Sequence, residues 1–329
     1  VKMEVYAGVD VGGTNIVCGL VDSSGKVMHR IKRATEAAKG PDAVLEKIAA
    51  MIEEAAVGYA EQSGTDIAVV AAGIGLPGFV DPDEGIARFA GNLGWRNLPA
   101  VQRLQARLNL PVYIDNDVRT YVYGEAMYGA GKGFKDVLGI TVGTGIASAM
   151  VNDGKLYYGF RNMSGELGHI VMEGLSDPCP CGLNGCLETF ASASGMVRQA
   201  KKALRSGEAS ILQSWFPEER LEELSAADLS RAYDQGDPYA ISLMEQAGAL
   251  LGRALSYAVP LVSPELVIIG GGGALAGDRL LEPLKRELYS RILPDYREQL
   301  KVVTALYNDD AGVTGSAMYA KQKHIGASV

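Results

Sequence analysis

Apolar and polar positions fall into two rhythms along this chain of 329 residues. The first is a short, dense apolar run. Runs at 5–9, 67–74, 112–114, 137–141, 170–172 and 266–269 have this form and predict buried strands. The second is a helical spacing. Val44, Ile48, Met51, Ile52 and Ala55 line one face of a helix over 41–62. Ile241, Met244, Ala247, Leu251 and Leu255 do the same over 238–259. Shorter helices fit 118–127 and 314–322. Strands alternating with helices predict an α/β fold.

Two of these strands open into similar turns. One gives Gly8-Val9-Asp10-Val11-Gly12-Gly13-Thr14, the other Gly139-Ile140-Thr141-Val142-Gly143-Thr144-Gly145. A second strand follows each, at 16–21 and 146–152, so both read as β-hairpins. Glycine removes the Cβ, so backbone N–H groups can face an anion, and the Thr hydroxyls add donors. Neither turn carries the Gly-Lys-Ser/Thr ending of a P-loop. Two such hairpins, each opening one half of the chain, predict duplicated domains facing each other over a shared phosphate. Asp10 suits the outer sphere of a phosphate-bound Mg²⁺, or else caps the turn. A third cluster, Gly270-Gly271-Gly272-Gly273, ends the strand at 266–269. Ligands of open α/β sheets bind beyond the carboxyl ends of strands, which makes this loop a floor for a nucleoside. The alternative is a plain strand-to-helix connection.

The strand at 112–114 ends in Asp115-Asn116-Asp117. Asp117 is placed to accept the proton of a substrate hydroxyl, as the catalytic Asp of kinases does. Such a base works mainly by orienting the nucleophile. Asn116 offers a donor and an acceptor to a neighbouring hydroxyl. The competing reading is an Asx cap that starts the helix over 118–127, a role open to Asp or Asn.

Three of the four cysteines, Cys179, Cys181 and Cys186, lie close together, ten residues beyond His169. Three thiolates and one imidazole make a closed tetrahedral zinc set, structural rather than catalytic. Glu166 and Glu188 flank it, which would place two carboxylates around a polyhydroxylated ligand. Disulfides are the alternative. The first residues carry Lys2 and Glu4 and run straight into Asp10, unlike a secretory signal, so a cytoplasmic chain and a metal site are expected. Cys18 reads as an inert core thiol.

Composition narrows the partners. The length favours two domains, and 47% hydrophobic residues allow large cores. A net charge of −8 argues against a nucleic-acid surface. No apolar run reaches the ~20 residues that span a bilayer, so no membrane partner is expected.

Taken together, the motifs resemble those of the ROK family of sugar kinases and repressors, on its glucokinase-like side, over nearly the whole chain. The segment 8–14 resembles the family's first phosphate motif. Gly75-Leu76-Pro77-Gly78-Phe79-Val80-Asp81 is similar to its sugar-side loop, and Asn92-Leu93-Gly94-Trp95 to its Asn-Leu-x-Trp element. Gly165-Glu166-Leu167-Gly168-His169 and the run from Cys179 to Glu188 match its most specific signatures.

The resemblance implies an α/β, actin-like ATPase (ribonuclease H-like) fold with two duplicated domains around a central cleft. The smaller domain would cover 1–117 plus a C-terminal helix at about 312–329, the larger one 118–311. The implied activity is ATP-dependent phosphorylation of a hexose at its 6-hydroxyl, with glucose first. Mannose, allose, fructose or an N-acetylhexosamine are the alternatives. Asp117 would be the base. Gly78, Asn92, Asn116, Glu166, His169 and Glu188 would join it in holding the sugar. ATP with Mg²⁺ would lie on Asp10, Gly12, Gly13, Thr14, Asn15, Gly143, Thr144, Gly145, Gly271 and Gly272. His169, Cys179, Cys181 and Cys186 would hold structural Zn²⁺. A homodimer or homotetramer is implied.

Family repressors carry a further N-terminal helix-turn-helix of roughly 80 residues. This chain reaches its first phosphate strand at residue 5 and is acidic, which points to the kinase side. Two positions depart from the pattern. Val118-Arg119 replaces the usual Ala-Asn after the base, and Ser164 replaces an Ala. Arg119, bulky and charged, is expected to alter how the start of that helix packs near the sugar, and so to bear on which sugar is preferred.

Overall fold

The computed structural model describes residues 2–327. Val1 and positions 328–329, the end of the expected C-terminal helix, lie outside the described residues. The chain forms two compact units. Of the described residues, the first holds 2–133, Ala149–Ser164 and 306–327; the second holds Phe134–Ser148 and Gly165–Ala305.

The first unit begins with β1 (Met3–Val11), β2 (Asn15–Val21) and β3 (Val27–Ala34), an antiparallel meander. α1 (Pro41–Ser63) leads to β4 (Ile67–Leu76), which pairs parallel to β1. A small antiparallel sheet follows: β5 (Phe79–Asp81), β6 (Ile86–Ala90) and β7 (Trp95–Leu98). α2 (Ala100–Leu108), β8 (Val112–Asn116) and α3 (Asp117–Met127) complete this stretch. The main sheet has the order β3–β2–β1–β4–β8. Side chains alternate along a strand. Val5, Ala7 and Val9 therefore share a core with Val44, Ile48, Met51 and Ile52 of α1.

The second unit is built on β9 (Asp136–Val142) and β10 (Ile146–Asn152). The chain passes from this unit to the first within β10, whose end pairs with β11 (Lys155–Leu156). Back in the second unit come α4 (Glu188–Ala191), α5 (Ala193–Arg205), α6 (Leu212–Trp215), α7 (Ala226–Asp234) and α8 (Pro238–Val262). Next are β12 (Leu266–Gly270), α9 (Gly272–Ala276), α10 (Asp278–Arg291), α11 (Pro294–Gln299) and β13 (Lys301–Thr304). β12 lies between β9 and β13, parallel to both. Val267 and Ile269 pack with Leu251 and Leu255 of α8 and Leu280 and Leu284 of α10. The expected strand at 170–172 is no strand. Only Val171 makes a bridge there, to Cys186, because the segment is occupied in folding the cysteine loop.

The last helix, α12 (Ala311–Ala327), belongs to the first unit. It is longer than the predicted 314–322. It packs on β1, β4 and α3 so closely that a Cβ at Gly73 would strike the Ser316 carbonyl. A Cβ at Gly315 would strike the Thr120 carbonyl. This packing places α3 in the first unit, which therefore runs past the expected boundary at 117 to Gly133. Among the described residues, no helix is long and apolar enough to cross a membrane.

Candidate active site

In the first unit the parallel strands β1, β4 and β8 end together. Asp10 pairs with Gly75, and Leu76 pairs with Asn116. Asp10, the Gly78 turn and Asp117 thus stand at the carboxyl edge of one sheet, the usual place for a ligand. In the turn between β1 and β2, Gly12 N–H donates to the Asn15 carbonyl at 2.9 Å. The Thr35 hydroxyl donates to the Gly12 carbonyl at 2.6 Å. Gly13 and Thr14 are left exposed. Asn92 lies beside this turn, since a Cβ at Gly13 would be 3.2 Å from the Asn92 Cβ.

Asn116, not Asp117, caps α3. Its Oδ1 accepts from Val118 N–H at 3.0 Å and Arg119 N–H at 3.1 Å. Its Nδ2 donates to the Gly78 carbonyl at 3.0 Å. Gly78 has φ +85 and faces the Phe89 carbonyl so closely that no Cβ fits. Asp117 is the first helical residue and accepts from Val118 N–H at 2.9 Å. Burial, then the negative charge of Asp10, pushes its carboxyl up to about 7. Burial alone pushes Asp10 up to about 6.

The second unit has its own group. In the turn between β9 and β10, Gly143 N–H donates to the Gly145 carbonyl at 2.9 Å, and Ala193 N–H at the start of α5 donates to the Gly143 carbonyl at 2.8 Å. Gly271, Gly272 and Gly273 lie against Val142, at the end of β9. The two glycine turns therefore share one sheet edge. Glu188 Oε2 approaches the Ile146 N–H at 3.4 Å. Its Oε1 is 3.3 Å from Cys179 Sγ and 3.7 Å from His169 Nδ1.

One ligand atom from each of His169, Cys179, Cys181 and Cys186 lies within 4.8 Å of the others. Cys181 and Cys186 Sγ are 3.6 Å apart, as are Cys179 Sγ and His169 Nδ1. A tetrahedral Zn²⁺ with Zn–S bonds of about 2.3 Å needs donors about 3.8 Å apart, so this donor set fits zinc. Nδ1 faces the thiols, while Nε2 lies 3.7 Å from Glu166 Oε2. The three thiols are free, without disulfides.

Sequence reasoning missed a buried cluster behind Asp117. Asp115 is wholly buried and Arg119 is 5% exposed. Arg119 Nε donates to Asp115 Oδ1 at 2.6 Å, and the Tyr158 hydroxyl donates to Asp115 Oδ2 at 2.8 Å. Arg119 carried a signal as a departure from the family pattern. Asp115 and Tyr158 carried none.

A pair of α/β units, each with a glycine hairpin at its sheet edge, defines the actin-like ATPase fold. The ROK family model matches residues 6–323, and the chain belongs to the ROK family. It is 35% identical to a glucokinase of Halalkalibacterium halodurans over 97% of this chain and 95% of that one. The structure of a ROK family glucokinase from Streptomyces griseus, in complex with glucose and AMPPNP, superposes with TM-score 0.81 at 31% identity. That match covers 97% of this chain and 99% of the other. A ROK family transcriptional regulator, homologous to the Escherichia coli MLC protein, gives TM-score 0.85 at 28% identity, over 98% of this chain and 78% of that one.

Proposed function

We propose that the chain is an ATP-dependent hexose 6-kinase whose first substrate is glucose. The observation that carries this is Asp117. A half-buried carboxyl tuned to about 7 at the carboxyl end of β8 suits a base that works at neutral pH. The likeness to glucokinases over nearly the full chain supports the substrate.

In this reading Asp117 accepts a hydrogen bond from the 6-hydroxyl and takes its proton as the oxygen attacks the γ-phosphorus and the bond from that phosphorus to the β–γ bridging oxygen breaks, releasing ADP. Its main work is to aim the oxygen in line with the leaving group. Asn116, committed to capping α3 and to the Gly78 carbonyl, holds the loop that carries the sugar-side backbone. Asn92 supports the first phosphate turn and presents its amide to the sugar. Glu166 and Glu188 would accept from the remaining hydroxyls, and His169, with Nδ1 turned to the thiols, would donate from Nε2–H. In the first unit the turn at 12–15 would bind phosphate through backbone N–H groups, and in the second unit the turn at 143–145, with Gly271 and Gly272, would bind nucleotide in the same way. Asp10 would hold the hydrated Mg²⁺ of MgATP, which when bound neutralises charge on the transferring phosphoryl group. Zn²⁺ on His169 and the three cysteines would be structural. It would fix the ring so that Nε2 and Glu166 face the sugar together. Assembly as a homodimer or homotetramer is part of the proposal, and sedimentation equilibrium checks it.

The test is an ADP-release assay with MgATP over glucose, mannose, fructose, allose, N-acetylglucosamine and N-acetylmannosamine. A dominant kcat/KM for glucose is expected. Another preferred sugar would keep the kinase and reassign its specificity. The regulator match favours a second reading, a sugar-sensing protein. Hexose binding without ADP release in zinc-replete protein would select it.

A further inference from the structure

We propose that Arg119 is a positioning residue for the hexose-binding face of the first unit, an assignment that rests on the kinase reading above. Its guanidinium serves three segments at once. Besides the bond to Asp115, Nη1 donates to the Asn162 carbonyl at 3.1 Å and Nη2 to the Val80 carbonyl at 3.4 Å. Its carbon stands 5.2 Å from the centroid of the Tyr158 ring. Tyr158 completes the cluster through its hydroxyl, 3.4 Å from that of Tyr319.

The arrangement brackets the base. Asn116, just before Asp117, grips the loop at the Gly78 carbonyl. Arg119, just after it, grips the same loop at the Val80 carbonyl. The loop is thus fixed to Asp117 at two points, one on each side. The Asn162 bond adds the segment around 160–163. Val80 and Asn162 also line one cavity of about 520 Å³ with Phe79, Phe89 and Met163, and Arg119 ties its walls together.

Stability is a weak reason for such a cluster. A buried ion pair gains little over well-packed apolar groups, because desolvation offsets the attraction. What a guanidinium supplies is a rigid fork of donors, which a Lys ammonium lacks. The fork meets two backbone carbonyls and a carboxylate in different directions. Its function is therefore geometric. It sets where the sugar-side loop stands relative to Asp117.

The test uses Arg119→Lys and Arg119→Met in the full chain. Each substrate is varied at saturating levels of the other, and amide hydrogen exchange is followed over 78–90 and 157–164. Lys keeps the charge beside Asp115 and loses the fork. The hexose KM is expected to rise about 10-fold or more in both variants. The MgATP KM should stay within about two-fold, and the two segments should exchange faster. A hexose KM unchanged in folded Arg119→Lys overturns the assignment. So do both KM values rising together, which would report a general loss of structure. If Arg119→Met does not fold, the Lys variant carries the test. If the wild type phosphorylates no hexose, the kinase reading falls separately. Calorimetric titration of glucose into wild type and Arg119→Lys then decides the positioning role. Equal affinity, or binding to neither, overturns it.

Discussion

Replacing Asp117 with Asn separates catalysis from stability, because the same burial that tunes the carboxyl also weighs on the fold. The folded value, about 7, lies above the usual carboxylate value near 4. Folding therefore favours the protonated form. The penalty is absent at low pH, grows as pH rises between about 4 and 7, and is complete above 7. Between pH 5 and 8 it grows by roughly two pH units' worth, about 3 kcal/mol. Asn fills the same space, keeps an oxygen for the Val118 N–H and cannot ionise. Asp117→Asn should therefore gain stability over wild type from pH 5 to pH 8 by about this amount. Scanning calorimetry of the apo proteins at several pH values reads it. At the same time kcat should fall by about 10²–10⁴, with hexose affinity retained in calorimetric titration. A difference in midpoint that stays constant across the pH range would refute the buried, raised carboxyl. Unchanged turnover would refute its role as base.

Wild-type kcat/KM should fall about ten-fold per pH unit below about 7 as Asp117 takes up a proton in the free enzyme, and a flat profile from pH 5 to 8 would remove it as the titrating base. Cys181→Ser should lose its zinc by atomic emission, unfold at lower temperature and raise the hexose KM; full zinc content would mean that the ligand set is wrong. Glu125 is wholly buried and accepts from the backbone N–H groups of Ala130, Leu306, Tyr307 and Asn308 at 2.6–3.0 Å. Glu125→Gln turns an amide towards some of these donors and should cost about 3 kcal/mol in denaturant unfolding, where a loss under 1 kcal/mol would show that the segment at 306–308 is held by other means.

What could be read from the sequence followed the kind of signal each element carries. α1 and α8 were legible because each has a long apolar stripe, and β1, β4, β8, β9 and β12 because each is a dense apolar run. β3 was not, because Met28-His29-Arg30-Ile31-Lys32-Arg33 is an exposed edge strand with hardly an apolar face. The start of α12, Ala311-Gly312-Val313-Thr314-Gly315-Ser316, reads as loop by propensity. Its glycines are instead the points where the helix meets its neighbours, so tertiary packing overrides local preference. The cluster of His169, Cys179, Cys181 and Cys186 was legible because ligand chemistry resides in side chains at telling spacing. The Arg119 cluster was not, because two of its three partners are the backbone carbonyls of Val80 and Asn162, which any residue supplies.

That cluster also gives two acids so close in sequence different partners. Asp115 and Asp117 stand two residues apart at the end of β8, and one buried cation lies near both. Arg119 gives its Nε to Asp115, whose other oxygen takes the Tyr158 hydroxyl. Its charge is the smallest of the influences on Asp117, where burial and Asp10 prevail. Asp115 is thereby spent as an anchor, with both oxygens filled. Asp117 keeps a carboxyl that no cation claims, near neutrality in its affinity for a proton. A Lys at 119 could neutralise Asp115 equally well. Only the fork of Arg can do so while also holding the loop at the Val80 carbonyl.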